Sequence, residues 1–144
     1  MAGSSTKGPI GDSGFIARAN AAKRFIQTVG MFLLCVVAAF VAAMLDMAGL
    51  VAVLAALSAV PGIPAFLWLI ERSAWHADRD RIPRALQNWV VVVALLVLTL
   101  AVAVVVALAL GARLGILIHP IVYGAEYALA VSIRHRRLSR ASDL

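Results

Sequence analysis

The residues best able to do chemistry lie late in the chain, in the stretch HPIVYGAEYAL at positions 119–129. At about 100° per residue on a helix, His119, Tyr123, Glu126 and Ala130 share one narrow face, and Tyr127 flanks it. An imidazole, two phenols and a carboxyl group so arranged can exchange protons or hydrogen-bond a facing helix. Glu126 precedes Arg134 by eight residues, about 12 Å along a helix. If this stretch crosses a bilayer, that depth is inside hydrocarbon, where a charge costs about 2.5–3.5 kcal/mol on insertion scales. Such groups face a bundle interior or a wet cavity and are functional candidates.

A second irregularity is SAVPGIPAFLW at positions 58–68. Pro61 and Pro64 lack an N–H, and their rings crowd the preceding turn, so the carbonyls near Leu57 and Val60 lose their usual donors. Pro61 lies nine residues before Ile70, and Glu126 lies seven before Ile133, so kink and carboxyl group are expected at similar depth. Irregular backbone there must be covered by protein or line water. Pro120 frees a carbonyl near Ile116 in the same way. These residues predict a protonatable Glu126 beside a broken second helix, with Tyr123 and Tyr127 as donors and His119 extending a proton route outward. The simpler reading, preferred over the proton route, is that Glu126 ties its helix to the second helix or to another subunit.

Other polar groups carry less. His76, Asp78 and Asp80 sit among four arginines in the longest loop, a poor donor set for a cation and a good solvated charge cluster. Asp46 and Arg113, in the two short turns, are expected to be solvated rather than paired. Cys35, the single cysteine, lies in an apolar run, where a thiol packs as a small hydrophobe. Ser58 and Ser73 have no base at motif spacing, and no phosphate-binding glycine loop, zinc-protease motif or nucleophile elbow occurs. No enzyme, cofactor or metal site is expected.

The elements that position these residues follow from composition. The chain is 63% hydrophobic and 14% charged, against about 25% charged in soluble domains, so its solvent is largely lipid. Apolar runs long enough to span occur at about 25–45, 50–70, 89–110 and 114–133. They do not alternate as barrel strands would. The turns DMAG and GAR are short and the loop 71–88 is long, so the expected fold is an all-α membrane protein of four transmembrane helices as two hairpins. Twelve of the thirteen Lys and Arg fall in the N-terminal arm, the long loop and the tail 134–144, leaving Arg113 alone. By the positive-inside rule both termini are then cytoplasmic. Trp68 and Trp89, at span ends beside that loop, suit the same interface. The first apolar run is longer than a signal sequence's h-region and reads as a retained span.

Residues 1–14 are polar and glycine-rich and are expected without fixed structure, whereas 15–24 suit a short helix on the lipid surface. Small-residue pairs four apart, at Ala38/Ala42, Ala39/Ala43, Ala52/Ala56 and Ala55/Ala59, predict close packing of the first two spans, and Gly124 and Ala128 offer a similar pair in the fourth. The third span, with Thr99 as its one polar residue, is the expected lipid- or partner-facing helix.

These features point to an accessory or structural subunit of a bacterial inner-membrane complex. The alternatives are a small proton- or ion-coupled carrier or channel using Glu126, and a holin-like pore former. The expected partners are the bilayer, a membrane protein or further copies of the chain, and anionic lipid headgroups at the basic loop and tail, with no nucleic acid.

Overall fold

The computed structural model describes residues 10–72 and 83–144, with side chains from residue 13 onward. The described residues form six helices, α1 (Ile10–Met44), α2 (Ala48–Arg72), α3 (Arg84–Gln87), α4 (Trp89–Leu110), α5 (Ala112–Ile116) and α6 (His119–Ser142), and no strand. Four helical stretches, Ser13–Met44, Ala48–Arg72, Trp89–Leu110 and Ala112–Ser142, are long and apolar enough to cross a membrane. The chain is a multi-pass membrane protein. The loop residues Trp75, His76, Asp78 and Asp80 lie outside the described residues.

Helix α1 is one unbroken element of 35 residues, about 50 Å long, against a hydrocarbon thickness of about 30 Å. Residues 10–14 are helical rather than irregular, and 15–24 continue the helix of the first span instead of forming a separate surface segment. The reason is local: FIARANAAKRFIQ is alanine-rich and free of proline, so nothing stops the helix where its composition turns apolar. Helix α6 likewise runs through the basic tail to Ser142. Its arginines are good helix formers and complement the negative end of the helix dipole.

The turn after α1 closes by hydrogen bonds from the Asp46 N–H to the Ala43 carbonyl and from the Met47 N–H to the Ala42 carbonyl. This is a Schellman arrangement. It places Asp46 in the left-handed region, at φ 58°, where a Cβ is unfavourable and glycine fits. Asp46→Gly is expected to stabilise the fold by about 1 kcal/mol, read as a raised thermal midpoint in detergent. Gly111, between α4 and α5, adopts φ 99° and ψ 162°, a region essentially reserved for glycine. Two turns of chain also meet closely there, because a Cβ on Gly115 would fall 2.6 Å from that of Ala107. Gly111→Ala is expected to cost about 1–3 kcal/mol in the same measurement.

The two proline sites behave differently. Near Pro120 the helix is interrupted, with α5 ending at Ile116 and α6 starting at His119, as expected where the ring meets the carbonyl four residues back. Across Pro61 and Pro64 there is no break: α2 stays helical from Ala48 to Arg72. Helix α2 packs against α1, α4, α5 and α6, and neighbours on several sides hold a proline-bearing helix in register.

The interior is built from small side chains and the exterior from large ones. Ala39, Ala42 and Ala43 of α1 meet Val51, Ala52 and Leu54 of α2, with Ala107 and Ala112 closing the cluster. Further along, Ala55, Ala103 and Val122 form one layer, and Val92, Leu96, Ala125 and Leu129 another. Leu34, Val37, Phe40, Val97, Leu98, Val105 and Leu108 all point outward. Helices approach closely through small residues when lipid supplies no hydrophobic drive between them. The fourth-span pair is not used as expected, since Gly124 is exposed with open space around it. Helix α4 is not turned wholly outward either. Val92, Leu96, Ala103 and Ala107 form one buried stripe against α2 and α6.

Candidate functional site

Glu126 is fully buried between α6 and α2. Its Oε1 lies 2.8 Å from the hydroxyl of Ser58, and that hydroxyl also lies 2.8 Å from the Ala55 carbonyl one turn earlier. A serine hydroxyl has one proton, so it cannot donate to both oxygens at once. If Glu126 is the neutral acid, its O–H donates to Ser58 and Ser58 donates to Ala55, which satisfies the whole chain. If Glu126 is ionised, Ser58 donates to it and the Ala55 carbonyl loses that bond. The geometry therefore accommodates the neutral acid with one more hydrogen bond than the carboxylate.

The second oxygen, Oε2, is buried without a hydrogen-bond partner. It rests against Gly62, where the position of a side-chain Cβ is already taken by that oxygen. The Phe32 ring of α1 covers the same point, 3.1 Å from that Cβ position. Ser58, Pro61, Gly62 and Ala65 are all buried, and their spacing puts them on one face of α2. The missing side chain at Gly62 is what lets the carboxyl group approach the α2 backbone. Phe32 also meets the rings of Phe66 and Tyr123 edge-on, both at 5.3 Å, and Phe66 meets Tyr127 at 5.8 Å. Phe32 thus covers the Gly62 contact from the α1 side and belongs to a chain of four aromatic rings with Tyr123, Phe66 and Tyr127.

The other predicted residues are distributed around this centre. His119, buried at the start of α6, has its Nδ1 3.0 Å from the Tyr123 hydroxyl. Tyr123 is therefore engaged with His119 instead of donating to Glu126. These two residues also line a cavity of about 300 Å³ between α1 and α6, shared with Val36, Phe40, Ile116 and Pro120. Pro61 is buried beside Glu126, whereas Pro64 is exposed and lines a different cavity with Arg24, Thr28 and Trp68. The hydrogen-bond partner of Glu126 is the Ser58 hydroxyl of α2 rather than the expected Tyr123 or Tyr127 phenol.

Sequence reasoning missed Ser58, Gly62 and Phe32. Ser58 and Gly62 are themselves a small-residue pair four apart, the same signal that marks the alanine stripes, and it was available. Phe32 has no local signal, because its role depends on α1 crossing α2 at that height. Among the described residues no cluster of three or more His, Cys, Asp or Glu could hold a metal ion.

At the end of the bundle where α2 finishes and α4 begins, Arg134 donates to the Ile70 carbonyl at 3.1 Å, and Arg137 pairs with Glu71 at 3.4 Å. The first bond gives one of the last carbonyls of α2 a donor that the helix itself cannot supply. Phe25 stacks on Trp68, with Arg72 on the same indole, and Arg136 lies over Trp89.

Comparison with known protein families, curated proteins and solved structures returns no match. Fold and site define a class, a multi-pass membrane protein with, among the described residues, four helices able to span and one buried carboxyl group between two of them.

Proposed function

We propose that this protein is an accessory or structural subunit of a bacterial inner-membrane complex, with its helices as two hairpins and both termini in the cytoplasm. The observation that carries the reading is the Glu126–Ser58 contact. Among the described residues Glu126 is the one buried acidic side chain; it joins α6 to α2 and lies against Gly62 and Phe32. Polar groups used this way hold membrane helices together. The outward Val and Leu surface of α4 is available to lipid or to another membrane protein. The orientation rests on the charge bias, with Arg113 alone at the opposite end.

Purification from native membranes in mild detergent, followed by mass spectrometry of the intact assembly, tests this reading. A stoichiometric second protein is the expected result. A pure homo-oligomer that moves protons or ions in liposomes would replace it with the carrier reading. That second reading has one observation in its favour: Oε2 of Glu126 has no hydrogen-bond partner, so one oxygen is left to accept a bond from a transported species.

A further inference from the structure

Ile133, Arg136, Arg137 and Arg140 recur along α6 at intervals of three and four residues, which places them on one helix face. That face meets the first residue of α4, and together with Trp89 the four residues line a cavity of about 220 Å³. No acidic residue is among those lining it. The three guanidinium groups are not equally committed. Arg136 lies 4.9 Å from the centre of the Trp89 ring, and Arg137 makes a long, exposed ion pair with Glu71. Arg140 makes no ion pair among the described residues.

We propose that this cavity binds the phosphate of an anionic phospholipid headgroup. Guanidinium groups present paired N–H donors that match phosphate oxygens, which ammonium groups do not. Trp89 has an apolar ring and one polar N–H, the composition that settles at the headgroup level of a bilayer. It opens a helix of 22 residues whose remainder is apolar apart from Thr99. A ligand with its phosphate on Arg136 and Arg140 would therefore have the hydrocarbon-facing side of α4 directly beside it. Ile133 adds an apolar side chain to the cavity lining at the point where α6 changes from apolar to basic. A soluble phosphate ester shares the headgroup's charge but has no use for that adjoining apolar surface. The inference rests on this cavity and on the membrane-spanning helices, not on the accessory reading, so either can fail without the other.

The test uses full-length protein carrying Trp68→Phe and Trp75→Phe, so that Trp89 is the one indole, in nanodiscs of phosphatidylcholine. Small fractions of brominated phosphatidylglycerol or brominated phosphatidylcholine are added and Trp89 fluorescence is read. The expected result is half-maximal quenching at an anionic-lipid fraction about tenfold lower than for the zwitterionic lipid. Arg136→Gln with Arg140→Gln should abolish the difference, whereas Arg136→Lys with Arg140→Lys should retain part of it, which separates loss of charge from loss of fold. Equal quenching by both lipids, or a preference that survives the glutamine pair, overturns the proposal. Displacement of the brominated anionic lipid by millimolar inorganic phosphate would also overturn it, by assigning the cavity to a soluble ester.

Discussion

Gly62→Ala should destabilise the protein by about 1–3 kcal/mol, the usual cost of overfilling a packed interior. On an exposed helix the same change would be favourable by about 1 kcal/mol, because alanine is the better helix former. The sign reverses here because the new methyl group would occupy the place of the Glu126 carboxyl oxygen and press on the Phe32 ring. Making room means turning the buried Glu126 carboxyl group away from its Ser58 bond and shifting the half-buried Phe32 ring, which already touches Phe66 and Tyr123. The prediction has an internal control. In a Glu126→Ala background the obstructing oxygen is gone, so adding Gly62→Ala should cost close to nothing or stabilise. Thermal unfolding of the four proteins in one detergent reads the effect directly, and a penalty at Gly62 that is independent of residue 126 would show that the two are not in contact.

The second large effect concerns Glu126. Glu126→Ala removes the Ser58 partner and opens a void between α2 and α6, and it is expected to cost about 2–3 kcal/mol, combining the cavity and the lost interhelical bond. Glu126→Gln should cost less than about 1 kcal/mol. Its amide N–H can donate to Ser58 while Ser58 donates to Ala55, reproducing the neutral acid's bonds in nearly the same volume. If the protein is a scaffold subunit, the glutamine variant should keep its partner through mild-detergent purification, and the alanine variant should lose part of it. A proton-coupled carrier gives a different pattern, with the glutamine variant folded and assembled but inactive, because an amide cannot release a proton. Quantitative mass spectrometry of the recovered partner, alongside the thermal midpoints, separates the two.

How much of this was legible in the sequence depended on whether the signal was local. Runs such as WVVVVALLVLTLAVAVVVALAL announce a span by length alone, and helices α2 and α4 cover the predicted ranges within about two residues. The extent of α1 was not legible from hydropathy. Residues 15–24 change polarity without changing helix propensity, and the backbone follows propensity. The buried stripe of α4 was hidden for the opposite reason, because a helix apolar on every side offers no contrast from which to read a facing direction. At the site, the position of Glu126 on an inward face could be read from periodicity. Its partner could not, because Ser58 lies 68 residues away in the chain. The prolines of α2 drew attention to the right turn of helix. The residues that matter there are the hydroxyl and the glycine on either side of Pro61, which bond and seat the carboxyl group.

Glu126 joins α6 to α2 through Ser58. A double-mutant cycle of Ser58→Ala and Glu126→Ala, measured as unfolding free energy in bicelles, tests it most directly. A coupling energy of about 1 kcal/mol is predicted, within the range seen for hydrogen bonds between membrane helices. Additive effects of the two substitutions would contradict the contact and, with it, the structural role assigned to the carboxyl group.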